Sequence, residues 1–132
     1  MPMKPVIAIV DDDESVREAT VSLMKVSGFA PEAFRCANEF LESDALRRTS
    51  CLIADVQMPG MSGIELHGRL VQSGSPIPTV LMTAYPDAKA RSRALKAGVI
   101  CYLTKPFSNH ELLGCIRTAL EFGKRKFARN LD

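Results

Sequence analysis

The sequence predicts an α/β protein in which five parallel strands form one doubly wound sheet with helices on both faces. Three observations lead to this prediction. Five short apolar runs are rich in β-branched residues, five longer amphipathic segments separate and follow them, and the two kinds of segment alternate along the chain. With 132 residues, the chain is long enough for one domain with its own core and too short for two.

The individual elements are placed by their periodicity and by the residues that flank them. Strands are predicted at residues 6–10, 29–34, 51–54, 79–82 and 100–103, and helices near residues 14–27, 37–47, 63–72, 87–97 and 109–122. The spacings of residues 62–65 and 108–111 are those of capping boxes, which start helices. Three helices should end at glycines, namely Gly28, Gly74 and Gly98.

Composition limits the classes of function that the chain can have. Hydrophobic residues make up 46% of it and charged residues 24%, as in an ordinary globular protein. The formal net charge of +2 is too small to favour nucleic acid or a membrane surface as a partner. The four cysteines form no C-x-x-C pair, so neither a zinc site nor a disulfide framework is predicted. The first apolar run is too short for a signal peptide or a membrane span, and a reducing, cytoplasmic location is expected.

Polar side chains gather where the predicted strands end. Asp11 and Asp12 follow the first strand, Asp55 the third, Thr83 the fourth and Lys105 the fifth. In a doubly wound sheet, function collects at the carboxyl ends of the strands, near the topological switch point. If the strand order is 2-1-3-4-5, these four strands are successive neighbours about 4.8 Å apart, and the five side chains share one edge of the sheet.

Such a cluster of acidic residues needs a partner of opposite charge. Three carboxylates held close together repel one another and oppose folding unless a cation joins them, and Lys105 supplies only one positive charge. Mg²⁺ takes oxygen ligands and bridges carboxylate to phosphate. Each residue alone has a plainer explanation as a turn former, helix cap or solvated charge, and Asp13 is expected to be such a cap. The five together predict metal binding and phosphoryl chemistry.

Four motifs contain the ends of the first, third, fourth and fifth predicted strands. They are residues 10–12 (Val-Asp-Asp), 52–63 (which include Asp55, Met-Pro-Gly at 58–60 and Gly63), 81–84 (Leu-Met-Thr-Ala) and 102–107 (Tyr-Leu-Thr-Lys-Pro-Phe). Together they resemble the signature of response-regulator receiver domains. The match runs from about residue 6 to 120, and its wording resembles in particular the receivers of nitrogen-fixation-type regulators with a helix-turn-helix output. The resemblance implies a flavodoxin-like (βα)5 fold with strand order 2-1-3-4-5. The receiver domain would occupy residues 1–122, and residues 123–132 would be a basic tail or the start of a linker.

The resemblance also implies a role for each carboxylate. Asp55 would be the phosphoacceptor, attacking the phosphorus of a phosphohistidine on a sensor histidine kinase. Asp12 and Asp55 would ligate Mg²⁺ directly together with the backbone carbonyl of Gln57, while Asp11 would act largely through water. Phosphoryl transfer depends on positioning and charge neutralisation more than on acid–base chemistry, so no histidine is needed. His67 and His110 are accordingly predicted to be surface residues.

The remaining implied roles concern the phosphoryl group and the switch. Lys105 would pair with Asp55 and then with the phosphoryl group, through a cis bond to Pro106. The Thr83 hydroxyl and the Ala84 N–H would bind a phosphoryl oxygen. Thr83 would then move and let Tyr102 turn inward, changing the face made by the fourth helix, fifth strand and fifth helix, where a homodimer or a partner would form. The implied function is a phosphorelay switch, not an enzyme, with an output that is expected to be transcriptional.

Two alternatives to a receiver remain. The first is a phosphatase of the haloacid-dehalogenase type, in which residues 11–13 would be the D-x-D motif. Such an enzyme needs a further acidic pair after Lys105, and this interpretation gives Asp55 no role. A pseudo-receiver would be a pure interaction module on the same fold, but such modules usually lack an acidic residue or the lysine, and here all are present. A dinucleotide site is excluded because the first strand is not followed by a glycine-rich turn.

Overall fold

The structure is a computed structural model that describes the backbone of residues 4–131 and the side chains of residues 4–124. Five parallel strands form one sheet in the order β2-β1-β3-β4-β5, so the predicted fold class and strand order are confirmed. The elements are β1 (Val6–Val10), α1 (Glu14–Val26), β2 (Ala30–Phe34), α2 (Ala37–Leu41), a 3₁₀ turn (Asp44–Arg47), β3 (Thr49–Asp55), α3 (Gly63–Gln72), β4 (Thr79–Thr83), α4 (Ala88–Lys96), β5 (Cys101–Thr104) and α5 (Asn109–Leu131).

The sheet is buried on both faces, which explains why its central strands are almost continuously apolar. Alternate residues of β1, β3 and β4 point to opposite sides. One set, which includes Ile9, Ile53 and Met82, packs in a cluster with residues of α1 and α5. The other set, which includes Val10 and Leu81, packs in a second cluster with residues of α2, α3 and α4. The two cores hold the strands side by side and so bring their carboxyl ends to one edge.

Several element boundaries differ from the prediction. The second helix stops at Leu41, and a 3₁₀ turn follows, because the Ser43 hydroxyl donates to the Phe40 carbonyl at 2.7 Å and competes with continued helix. The third and fourth strands extend one residue further than predicted, so that Asp55 and Thr83 are their last residues. The backbone of α5 stays helical to Leu131, past the predicted end at residue 122.

The predicted helix signals are confirmed where they can be checked. Asp13 is the N-cap of α1, and its carboxylate accepts from the Val16 N–H at 3.2 Å. Both predicted capping boxes are present, at residues 62–65 and 108–111. The glycines that end three helices all have positive φ, which lets the chain reverse there without strain. No helix of the described chain has the length and apolarity needed to cross a membrane.

Candidate functional site

Three carboxylates meet at the carboxyl edge of the sheet, as predicted. Asp11 and Asp12 follow β1 directly, and Asp55 ends the neighbouring strand β3. One oxygen from each of the three lies within 4.8 Å of the others. Asp11 is fully buried and Asp55 nearly so, whereas Asp12 is exposed. The cluster is therefore a partly buried acidic cleft that opens to solvent on the Asp12 side.

Lys105 is the cation that this cluster contacts. Its Nζ lies 2.9 Å from Asp55 Oδ2 and 3.5 Å from Asp11 Oδ2. Burial disfavours the charged ammonium, but the hydrogen bond to Asp55 and the charge of Asp11 outweigh it and raise the pKa of Lys105. Burial also raises the pKa of Asp11, against the opposing effects of the Asp13 N–H and Lys105. Among the described residues, Lys105 is the only cation in an ion pair with this cluster, and it pairs with Asp11 and Asp55, so negative charge remains in excess.

Backbone contacts fix the two buried carboxylates. The Asp13 N–H donates to Asp11 Oδ1 at 2.9 Å, and the Gln57 N–H donates to Asp55 Oδ1 at 3.0 Å. Arg17, on the first turns of α1, donates through Nη1 to the Asp11 carbonyl at 2.9 Å. Sequence reasoning missed Arg17 because it lies inside a helix and not at a strand end. Its guanidinium fixes the backbone between β1 and α1 and brings a second positive charge close to the cleft.

Thr83 is the last residue of β4 and is fully buried, and its hydroxyl makes two hydrogen bonds. Oγ1 donates to Gln57 Oε1 at 2.7 Å and accepts from the Tyr85 N–H at 2.9 Å. Within the described residues it makes no hydrogen bond to Asp55 or Lys105. Nothing in the sequence indicated the pairing of Thr83 with Gln57, since these side chains are 26 residues apart and meet only through the strand register.

The two other residues predicted at the site lie beside Thr83. Ala84 follows it directly and is exposed. Tyr102, on β5, pairs in register with Leu81 and is 8% exposed, so the side chain is already buried here. Its buried hydroxyl has no hydrogen-bond partner in the described chain. Burial and the nearby Asp87 carboxylate both raise the pKa of Tyr102. Thr83 opposes this shift because its side chain lies close to the Tyr102 hydroxyl, although the two form no well-aligned hydrogen bond.

The prediction that His67 lies on the surface is wrong. The side chain is only 5% exposed, and burial lowers the pKa of its imidazole. Position 67 belongs to the stripe of α3 that faces the core, together with Gly63, Leu66 and Leu70. The helical spacing of this stripe could have revealed it. His67 lines a cavity of about 710 Å³ at the opposite, amino end of the sheet, away from the acidic cluster. His110 is exposed, as predicted.

The doubly wound sheet has a carboxylate cluster at its switch point and a lysine directly after its last strand, which is the architecture of a receiver domain. The chain belongs to the response regulator receiver domain family, whose model matches residues 7–117. The receiver prediction is therefore confirmed. Receiver domains are phosphoacceptor switches of signalling systems that bind Mg²⁺ at an acidic pocket, and this chain has a cluster of three carboxylates at the carboxyl edge of its sheet.

Relatives support this assignment along most of the chain. The response regulator protein TmoT of Ectopseudomonas mendocina is 40% identical over 121 residues, which are 92% of this chain and 55% of TmoT. The transcriptional regulatory protein FixJ of Azorhizobium caulinodans is 32% identical over 134 residues, covering 98% of this chain and 64% of FixJ. The solved structure of the response regulator StyR superposes with a TM-score of 0.88 at 43% identity, covering 97% of this chain and 65% of StyR.

FixJ is among these relatives, at a lower identity than TmoT. The chain spans little more than half the length of TmoT and less than two thirds of the length of FixJ. What it shares with them is the receiver.

Proposed function

We propose that Asp55 accepts a phosphoryl group from a phosphohistidine of a sensor histidine kinase, and that the domain then changes its surface to control a transcriptional output. The observation that carries the proposal is the placement of Asp55 in the carboxylate cluster, 2.9 Å from the Lys105 ammonium. In the transfer, an Asp55 oxygen forms a bond to phosphorus while the bond from phosphorus to the imidazole nitrogen breaks. The electron pair of that bond leaves with the histidine ring.

The donor set of the cleft fits Mg²⁺. Carboxylate oxygens are its preferred protein ligands, and the unbalanced negative charge of the cluster favours a divalent cation. Asp12 and Asp55 would hold the ion directly with the backbone carbonyl of Gln57, and Asp11 would act largely through water. When bound, Mg²⁺ neutralises charge on the carboxylates and on the phosphoryl oxygens. Asp11, fully buried and held by the Asp13 N–H, is fixed in place before any ligand arrives.

The other site residues would bind the phosphoryl group without acid–base chemistry. The Lys105 ammonium would donate to a phosphoryl oxygen in place of part of its contact with Asp55. Lys105 would stay protonated, because the site raises its pKa. The Thr83 hydroxyl and the Ala84 N–H would donate to another phosphoryl oxygen. Positioning and charge stabilisation of this kind are what phosphoryl transfer requires. We therefore propose a cytoplasmic phosphoacceptor switch that assists its own modification and is not otherwise an enzyme.

Phosphorylation would act on the surface through Thr83 and Tyr102. Movement of Thr83 toward the phosphoryl group would alter the packing around Tyr102, whose buried hydroxyl has no hydrogen-bond partner among the described residues. We propose that the face of α4, β5 and α5 then forms a homodimer or binds an output partner, without direct contact of this domain with nucleic acid. The domain would occupy residues 1–122, with residues 123–132 as a basic tail or the start of a linker.

The two alternatives are less well supported. In a phosphatase of the haloacid-dehalogenase type, Asp13 would take part in catalysis, but its carboxylate caps α1. Asp55 would have no role in that enzyme, although it is one of the three clustered carboxylates and pairs with Lys105. A pseudo-receiver would have no use for three clustered carboxylates and a lysine paired with two of them.

The proposal is tested by incubating the protein with acetyl phosphate and Mg²⁺ and trapping the acyl phosphate with borohydride. We expect mass spectrometry to find one modified residue, Asp55, because it ends the central strand β3 and its carboxylate makes the shorter of the two contacts with the Lys105 ammonium, at 2.9 Å against 3.5 Å for Asp11. Asp55→Ala should lose the modification, while the matched variant Asp13→Ala should keep it. Modification at Asp11 or Asp12 in the wild type, or undiminished modification in Asp55→Ala, would contradict the proposal. Continuous turnover would favour the phosphatase.

A further inference from the structure

We infer that the side chain of Gln57 is a positioning residue that holds the Thr83 hydroxyl in its resting place and thereby opposes the phosphorylated arrangement. The inference rests on the proposed function, in which Thr83 donates to a phosphoryl oxygen. It assigns to Gln57 a side-chain role that differs from that of its backbone carbonyl. Gln57 would thus set how much of the protein is ready to accept a phosphoryl group.

The hydrogen bonds around Thr83 carry the inference. Oγ1 donates to Gln57 Oε1 at 2.7 Å, the usual distance for an O–H···O bond, and accepts from the Tyr85 N–H at 2.9 Å. A hydroxyl has one proton to donate. Thr83 therefore cannot donate to Gln57 and to a phosphoryl oxygen at the same time, and the two acceptors compete for that proton.

The position of Gln57 suits this role. It lies two residues after Asp55, and its N–H donates to Asp55 Oδ1 at 3.0 Å, so its backbone is tied to the phosphoacceptor itself. β3 and β4 are neighbours in the sheet, with Asp55 opposite Met82, which places residues 57 and 83 at the same edge. Gln57 is exposed, whereas Thr83 is fully buried. A change of the Gln57 side chain therefore removes the restraint without opening a hole in the core.

The size of the effect follows from the kind of bond. A hydrogen bond between neutral groups changes an equilibrium constant by about two- to tenfold. Removal of the Gln57 amide should free the Thr83 hydroxyl and increase the affinity for a phosphoryl group by about that factor. The increase requires Thr83 to be present, because without its hydroxyl there is nothing for Gln57 to hold.

The test measures the affinity for beryllofluoride, which mimics the phosphoryl group, by isothermal titration at saturating Mg²⁺. Gln57→Met keeps the length of the side chain and removes the amide. We expect it to bind beryllofluoride about two- to tenfold more tightly than the wild type, and to lose this gain when combined with Thr83→Ala. Gln72→Met makes the same change at an exposed glutamine that ends α3 and should bind like the wild type. In NMR spectra without beryllofluoride, the Thr83 methyl signal of Gln57→Met should shift toward its bound position.

Equal or weaker binding by Gln57→Met would overturn the inference. An equal gain in the Thr83→Ala background would overturn it too, because Gln57 would then act on the site directly and not through Thr83. If the wild type itself takes up no beryllofluoride with Mg²⁺, the proposed function fails, and the inference fails with it. The first two outcomes leave the proposed function standing, so the two failures are distinguishable.

Discussion

At the scale of single residues, burial and charge act against each other in this site. Asp11 is fully buried, and the loss of water raises its pKa even though Lys105 and the Asp13 N–H favour its charged form. Lys105 shows the opposite balance, because its two carboxylate partners outweigh its burial. The excess of negative charge held in this cleft favours a further cation, in line with the proposed function. Away from the cleft, His67 is buried with no charged partner, and its pKa falls.

Burial of His67 predicts a pH dependence of stability. Its pKa is lower in the folded protein than the ordinary value of 6.5 in the unfolded chain, so the unfolded state binds the proton more strongly. Stability should therefore fall as the pH drops below about 7 toward the folded pKa, by up to about 1.4 kcal/mol for each pH unit between the two pKa values. Urea unfolding at pH 7.5, 6.5 and 5.5 measures this. His67→Gln should lose this part of the pH dependence, whereas the exposed His110→Gln should retain it. Parallel curves for wild type and His67→Gln would contradict the prediction.

At the scale of elements, the junction between β3 and α3 positions the phosphoacceptor. Val56 continues the pairing with β4, its N–H donating to the Met82 carbonyl at 2.8 Å, and its own carbonyl accepts from the Gly63 N–H at 3.2 Å. The start of α3 thus returns directly over the end of β3. A Cβ on Gly63 would lie 2.5 Å from the Asp55 carbonyl oxygen and 3.0 Å from Leu81. Only glycine allows this close approach, which fixes the backbone of Asp55.

Gly63→Ala should consequently destabilise the protein and disturb the site. Because the nearest contact is backbone and cannot swing away, we expect a loss of about 1–3 kcal/mol of unfolding free energy. The matched control is Gly68→Ala in the same helix, where nothing lies within 4 Å of the added Cβ. That change should stabilise by about 0.5–1 kcal/mol, because alanine favours the helix. Chemical denaturation of both variants is the measurement, and a Gly63→Ala protein as stable as Gly68→Ala would show that the junction has room.

At the scale of the whole molecule, the two edges of the sheet differ in chemistry. The carboxyl edge has three clustered carboxylates and one paired lysine, while the cavity at the amino edge is lined mainly by apolar residues and His67. Repulsion among the carboxylates opposes the folded state, which alone brings them together. A cation that binds the cluster should therefore stabilise the entire domain.

We expect excess Mg²⁺ to raise the melting temperature of the wild type. Binding to the folded state alone adds about 2.7 kcal/mol when the free ion is at 100 times its dissociation constant. Asp12→Asn should remove most of this gain, because Asp12 is proposed to ligate the ion directly. Asp13→Asn should hardly change it, since Asp13 caps α1 and asparagine caps equally well. Melting curves with and without Mg²⁺ test this, and the reverse pattern in the two variants would favour the D-x-D motif of a phosphatase.

Much of this protein was determined by sequence alone. Apolar runs alternating with amphipathic segments predicted the five strands and five helices, because the burial of each element imposes its own period on the sequence. The caps of α1, α3 and α5 were equally local, since each depends on residues three apart. The gathering of Asp11, Asp12 and Asp55 followed once the order of the strands was assumed, because β1 and β3 are neighbours. The ion pair of Lys105 with Asp55, which reaches across β4, was implied by the resemblance to receiver domains.

Other features were decided only by the tertiary structure. The hydrogen bond from Thr83 to Gln57, the contact of Arg17 with the Asp11 carbonyl and the unpartnered hydroxyl of Tyr102 depend on side-chain directions. His67 was misplaced because histidine is compatible with both the surface and the core. Periodicity specifies which face of an element is buried, but the partner of each polar atom depends on the packing of several elements at once. These contacts therefore had no signal in the local sequence.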